Sequence, residues 1–261
     1  MNKKIIFSIS FFVFSITNIF CWHFPWTTKP KPEETKYVKP VIKSRPEAKV
    51  IIFDFDGTLI DSLPLYLECF NKLSSKYKYE KVTDPEKFRN KNMQTVVMKE
   101  LGLSLFQIPL YVKKMLSLFN KKTETLLFFE DIKNVIDQLS TKYTIGILTS
   151  NNEKTVKTIL NKENIKTVNF VYSGQSIFGK HVVLKRLIKK YNYKLHDVLY
   201  VGDEVRDIKE CRKANIRIAA VSWGLNSELF LKENDPNFLI NKPLELVDLL
   251  IPSKSYHKTQ I

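Results

Sequence analysis

From residue 50 onward the chain alternates short apolar runs with amphipathic stretches. Val50-Ile51-Ile52-Phe53 is wholly apolar and stops at Asp54, the pattern of a strand buried on both faces. Further strands are predicted at Thr144–Leu148, Asn169–Tyr172, Val198–Val201, Arg217–Val221 and Phe238–Ile240. Between and after them, helices are predicted near Asp131–Leu139, Glu153–Asn161, His181–Tyr191, Val205–Ala214 and Glu228–Lys232, with a last one to Leu250. Such alternation implies an α/β fold, a doubly wound parallel sheet covered on both faces. Residues 62–127 break the pattern. They hold helix-like stretches at Leu63–Tyr77, Met93–Leu101 and Pro109–Phe119 and no convincing strand, so they read as a small inserted helical cap. The division is then 50–61 with 128–251 as core, 62–127 as cap, and 252–261 as tail.

The first 49 residues follow another rule. Lys3 and Lys4 precede residues 5–28, which contain no Lys, Arg, Asp or Glu. The apolar run, extended by aromatics to Trp26, suits an uncleaved membrane anchor within 1–28. A cleaved export signal and a buried helix are the alternatives, though no small residues of the A-x-A kind mark a cleavage site. Residues 29–49 are rich in Pro and Lys and read as an extended linker. Their basic excess is expected to keep the folded part on the cytoplasmic side by the positive-inside rule.

The 261 residues carry a formal net charge of +15. The Lys are evenly spread and no basic run is interleaved with aromatics, so nucleic acid is not an expected partner. Three Cys are too few and too scattered for a disulfide framework or a thiolate zinc site. Cys69 and Cys211 fall in predicted helices as small buried apolar groups.

In an open parallel sheet, ligands bind at the carboxyl ends of the strands, and four polar clusters fall at such ends. Asp54-Phe55-Asp56-Gly57-Thr58 follows the first strand. Two buried carboxylates there need compensation by a cation or hydrogen bonds, and Gly57 lets the backbone turn; a solvated Asp-Gly turn is the plainer reading. Thr149-Ser150-Asn151-Asn152 joins hydroxyls to a helix start, an anion site or simply an N-cap. Lys180 precedes a helix and could neutralise a phosphate or a carboxylate. In Gly202-Asp203-Glu204-Val205-Arg206-Asp207, acids four apart share one face of a first helical turn. With Asp54 they could hold a divalent ion, and all-oxygen ligands favour Mg²⁺ over zinc.

In this order the clusters resemble the four motifs of the haloacid dehalogenase superfamily of phosphotransferases, over about residues 50–250. The helical insert, with Phe178-Gly179-Lys180 and Val221-Ser222-Trp223-Gly224-Leu225-Asn226-Ser227, resembles its phosphoglycolate phosphatase branch. The resemblance implies a Rossmann-like core and a Mg²⁺-dependent hydrolase of small phosphate monoesters, 2-phosphoglycolate first, acting through an aspartyl-phosphate. It implies Asp54, Asp56, Thr149 and Lys180 as catalytic residues. Gly57, Thr58, Thr149, Ser150 and Lys180 would meet the phosphate, and Asp54, Asp56 (by its carbonyl), Asp203 and Asp207 the metal. His181 stands where many relatives have Pro, a departure that weakens the resemblance at that loop but leaves the Lys180 amine; Glu204 has no implied role. Arg89, Lys91 and Asn92 could meet a substrate anion, but a solvated face is the expectation. A phosphomutase or nucleotide phosphatase on the same core, and a membrane-tethered binding protein without catalysis, are the competing readings.

Overall fold

A computed structural model of the chain describes residues 46–251 apart from 92–95, 97–99, 105 and 174–178. The expected anchor or signal, most of the linker, the tail and most of the helix expected over Met93–Leu101 lie outside the described residues. Among those described, no helix is long and apolar enough to cross a membrane.

Six strands form one parallel sheet: β1 (Val50–Phe53), β2 (Thr144–Thr149), β3 (Phe170–Ser173), β4 (Val198–Gly202), β5 (Arg217–Val221) and β6 (Phe238–Ile240), in the order β3-β2-β1-β4-β5-β6. β1 is central, with Val50 level with Thr144 of β2 and with Val198 of β4. The chain builds outward from β1 to β3, then crosses back to lay down β4 beside β1. That reversal opens a crevice at the carboxyl ends of β1, β2 and β4.

The inner strands β1, β2, β4 and β5 bury both faces, which is why the sequence shows solid apolar runs there rather than alternation. Successive side chains still point opposite ways. Ile51, Phe53, Leu199 and Val201 pack on one side with α4 (Ile132–Ser140) and α9 (Glu245–Leu250). Val50, Ile52, Val198 and Tyr200 pack on the other with α6 (Lys180–Lys190) and α7 (Val205–Ala214). α5 (Glu153–Lys162) and the short α8 (Glu228–Glu233) complete the layers. The expected elements agree with these to within a residue or two; the helix expected from His181 starts one residue earlier, at Lys180.

Between Asp61 and Leu127 the chain leaves the sheet to form α1 (Leu63–Tyr77), the short α2 (Pro85–Arg89) and α3 (Gln107–Asn120). Pro64 suits the first turn of α1, where its missing N–H costs nothing. Lys78, with φ 57°, ends the helix in the left-handed region. Leu65, Tyr66, Cys69, Phe70, Leu73 and Tyr77 recur at helical spacing on the buried face. They meet Ile108, Tyr111, Val112 and Met115 of α3 in the same apolar cluster, and Tyr77 sits edge-on to Tyr111 at 5.0 Å. Truncating a core Leu here to Ala should cost about 2–5 kcal/mol. The departing and returning segments run side by side: Asp61 N–H donates to the Leu127 carbonyl at 2.9 Å, Phe129 N–H to that of Leu59 at 3.0 Å, and Ile60 bridges Phe128 antiparallel.

Candidate active site

β1 delivers Asp54 and Asp56 at its carboxyl end, both buried. Asp54 Oδ1 accepts the Phe55 N–H at 2.9 Å, and its Oδ2 takes Lys180 Nζ at 2.7 Å. Lys180, at the start of α6, spends its three donors on Asp54, on Asp207 Oδ1 at 2.6 Å and on the Tyr200 hydroxyl at 2.7 Å. One ammonium thus ties together the ends of β1, β4 and α7. Asp203, Asp207 and Asp54 each offer an oxygen within 4.8 Å of the others, and all three are buried.

Asp203 is held on both oxygens: Thr58 Oγ1 donates to Oδ1 at 2.8 Å and Leu225 N–H to Oδ2 at 2.7 Å. The hydroxyl of Thr58, expected on the phosphate, is therefore spent on Asp203, leaving that residue its backbone for any anion. Gly57, with φ +71°, is in the left-handed region, and a Cβ there would lie 2.2 Å from Asp203 Oδ2. Gly224 is as tight: its Cβ would lie 2.1 Å from the Gly57 carbonyl oxygen. The loops after β1, β4 and β5 meet at this point with no room for a methyl group. Trp223 Nε1 adds a bond to the Thr58 carbonyl at 3.0 Å.

Beyond β2, Asn151 Nδ2 donates to Asp56 Oδ2 at 2.5 Å, and Thr149 Oγ1 accepts the Asn151 N–H at 3.0 Å. Asn152 caps α5 by accepting the Lys154 N–H, so one cluster both starts the helix and faces the site. Ser150 is half-buried beside it. Asp56 Oδ1 is buried with no hydrogen-bond partner among the described residues.

The electrostatics follow from burial. Desolvation, then the Asp54 charge, pushes the Asp56 carboxyl up to about 7. Burial also raises Asp54, against the pull of Lys180. Asp203 is driven well above the usual carboxylate range by burial and by Glu204, Asp207 and Asp54. Burial works against the Lys180 charge, but Asp207 and Asp54 outweigh it and raise the amine. Glu204, unassigned from sequence, pairs with Arg206 at 2.9 Å. Four carboxylates (Asp54, Asp203, Glu204, Asp207) thus surround two cations (Lys180, Arg206). With all four ionised, the cluster would hold two more negative charges than positive ones, which a divalent cation would cancel. Hard carboxylate oxygens in a buried cluster suit Mg²⁺, so the residues present fit such an ion.

Glu210 Oε2 accepts the His181 N–H at 2.9 Å, a bond Pro could not make, and lies 2.7 Å from Nδ1. Lys213 Nζ holds the other Glu210 oxygen at 2.8 Å. One expectation needs correction: Arg89 is not solvated. Its guanidinium reaches the Ser222 carbonyl, and Asn226 Nδ2 returns a bond to the Arg89 carbonyl at 3.1 Å. Lys91 does lie on an exposed face, paired with Glu100; Asn92 is outside the described residues.

Asp56 opens into a pocket between sheet and insert. Leu63 and Tyr66 of α1, Met115, Leu116 and Phe119 of α3, and Leu225 form much of its wall.

Residues 51–221 match the family of haloacid dehalogenase-like hydrolases. A phosphoglycolate phosphatase of Synechococcus elongatus is 29% identical over 203 residues, covering 76% of this chain and 95% of that protein. The pyrophosphatase PpaX of Bacillus cereus is 24% identical over 77% of this chain and 95% of its own. A haloacid dehalogenase-like hydrolase from Streptococcus pneumoniae shares the fold, with a TM-score of 0.67 at 22% identity, covering 77% of this chain and 98% of its own.

Proposed function

Since the chain belongs to the haloacid dehalogenase-like hydrolases and is an enzyme of their phosphatase kind, we propose that it is a Mg²⁺-dependent phosphomonoesterase working through an aspartyl-phosphate at Asp54. The observation that carries this is the pair of buried carboxylates two residues apart in opposite surroundings. Asp54 is bonded to the Lys180 ammonium, which favours a charged nucleophile. Asp56 is held near 7 with one oxygen unpartnered, which favours a proton donor.

Asp54 attacks phosphorus as the bond to the alcohol oxygen breaks, and Asp56 gives that oxygen its proton. Asp56, now a carboxylate, takes a proton from water; the hydroxide attacks phosphorus, and the bond to Asp54 breaks to release inorganic phosphate. The Thr149 hydroxyl faces the phosphoryl oxygens, with Ser150 and the backbone of Gly57 and Thr58 beside them, and Lys180, bonded to Asp54, lends its positive charge to that end. Asp54, the Asp56 carbonyl, Asp203 and Asp207 would hold Mg²⁺, which neutralises phosphoryl charge when bound. Thr58 and Leu225 keep Asp203 oriented for it. The helical insert covers the site and excludes water.

The relatives' names bring two substrates to this chain, 2-phosphoglycolate and pyrophosphate. The test of mechanism is borohydride quenching during turnover, which reduces an acyl phosphate to the alcohol. Conversion of Asp54 to homoserine, seen by peptide mass, is the expected outcome; label on another residue, or none during steady phosphate release, would refute it.

A further inference from the structure

The pocket beside Asp56 bears on what leaves after phosphoryl transfer. Its apolar wall comes from α1 and α3 of the insert and from Leu225. Its neutral polar groups are Ser62, Asn120, Ser150 and Asn151. Among the described residues lining it, none is Lys, Arg or His, and the charged ones are Asp56 and Asp203.

Nearby cations are engaged elsewhere. Lys180 is tied to Asp54, Asp207 and Tyr200 at the phosphoryl end. Arg206 is paired with Glu204. Arg89 bonds the carbonyls of Ser222 and Asn226 and pairs with Glu86. Lys122, near the end of α3, pairs with Glu68 on the exposed surface.

Resting on the phosphatase reading, we infer that this pocket selects phosphate monoesters of uncharged, largely apolar alcohols, and disfavours leaving groups that carry a second anion. A carboxylate placed there finds no Lys, Arg or His among the described residues of the wall, and gives up its hydration without return. An alkyl chain meets Leu, Met, Phe and the Tyr66 ring and leaves water favourably. Tyr66, Met115 and Phe119 are therefore the specificity-determining residues. Discrimination against the anionic ester comes from the missing cation rather than from steric exclusion.

The test compares esters of primary alcohols. With Mg²⁺, kcat/KM for n-pentyl phosphate should exceed that for 2-phosphoglycolate by about tenfold or more. Asn120→Arg, which places a cation at the rim of the pocket, should raise the ratio of 2-phosphoglycolate to pentyl phosphate by about tenfold. Binding gives a readout free of turnover and of any variant: in calorimetry pentylphosphonate should bind more tightly than phosphonoacetate. Equal or better use of 2-phosphoglycolate or pyrophosphate by the natural chain, with phosphonoacetate the tighter ligand, would overturn the inference while leaving the phosphatase reading standing. Hydrolysis of no ester at all would overturn both.

Discussion

Gly224→Ala tests whether the site depends on three loops meeting without slack. The added Cβ would lie 2.1 Å from the Gly57 carbonyl oxygen and 2.4 Å from both Asp203 Cβ and Oδ2. Reaching an ordinary contact of 3.4 Å from that carbonyl requires a shift of about 1.3 Å. Neither neighbour yields easily. Gly57 is already in the left-handed region against Asp203, and Asp203 is held by Thr58 and Leu225. The strain of overpacking should cost about 1–3 kcal/mol of stability. A displacement of about 1 Å at Asp203 or Asp56 should lower kcat/KM by about 100-fold. Urea denaturation and phosphate release, run over a Mg²⁺ series, measure the two effects. Gly102→Ala is the control: it has φ +61° but nothing within 4 Å of its Cβ, so it should lose about 1–2 kcal/mol and keep its activity. A Gly224→Ala enzyme with natural stability and activity would refute the idea that the loops are close-packed.

Asp56 should give a pH profile of definite sign. The acid must be protonated to release the alcohol, so under conditions limited by that step the rate should fall as pH rises through about 7. Asp56→Asn should be slower by about 100-fold or more and lose this limb. The same group sets a stability slope in the metal-free protein. Its folded pKa of about 7 lies above the unfolded 3.8, so its contribution is complete below pH 4 and lost as pH rises toward 7. Thermal melts in EDTA should show a loss of about 2–3 kcal/mol between pH 5 and pH 8, which Mg²⁺ abolishes; a flat profile in EDTA would contradict the buried-acid account. Glu210→Ala leaves the His181 N–H unpaired and frees the turn carrying Lys180; kcat should fall about tenfold with Mg²⁺ affinity unchanged, whereas equal loss in both would mean general unfolding. For residues 5–26, the full chain should sediment with lipid vesicles and a chain beginning at Arg45 should not; equal behaviour of the two would end the anchor proposal.

Much of this architecture is legible in the residues because a doubly covered parallel sheet writes itself plainly. A run such as Val50–Phe53 has both faces buried, and whatever polar group follows it stands at the crevice. Asp54, Asp56, Asp203 and Asp207 follow from that logic; Lys180, one Lys among many, gains its place only from the order of the clusters and the resemblance they carry. The partners that hold them could not. Tyr200 sits in mid-strand among apolar neighbours and looks like core, yet its hydroxyl takes a bond from Lys180, 20 residues away. Glu210 lies on a charged helix and looks solvated, yet it anchors the residue after Lys180. Asn226 accepts from the Val205 N–H and donates to the carbonyls of Arg89 and Lys91. Each of these contacts spans turns of chain that no local periodicity links. Asn151 was within sight, in a cluster already singled out, but its aim at Asp56 depends on how far β2 extends beyond Leu148.

The paired bonds where the chain departs from and rejoins the sheet, at Asp61–Leu127 and Leu59–Phe129, carry a consequence for descent. The excursion begins and ends at one spot, so its length hardly matters to the scaffold; doubling such a loop costs only about 0.6 kcal/mol in closure entropy. The chemistry sits below that neck and the choice of alcohol above it. An ancestral gene could therefore exchange or remodel everything between positions 62 and 126 and acquire a new diet while inheriting its acid, nucleophile and cation nest unchanged.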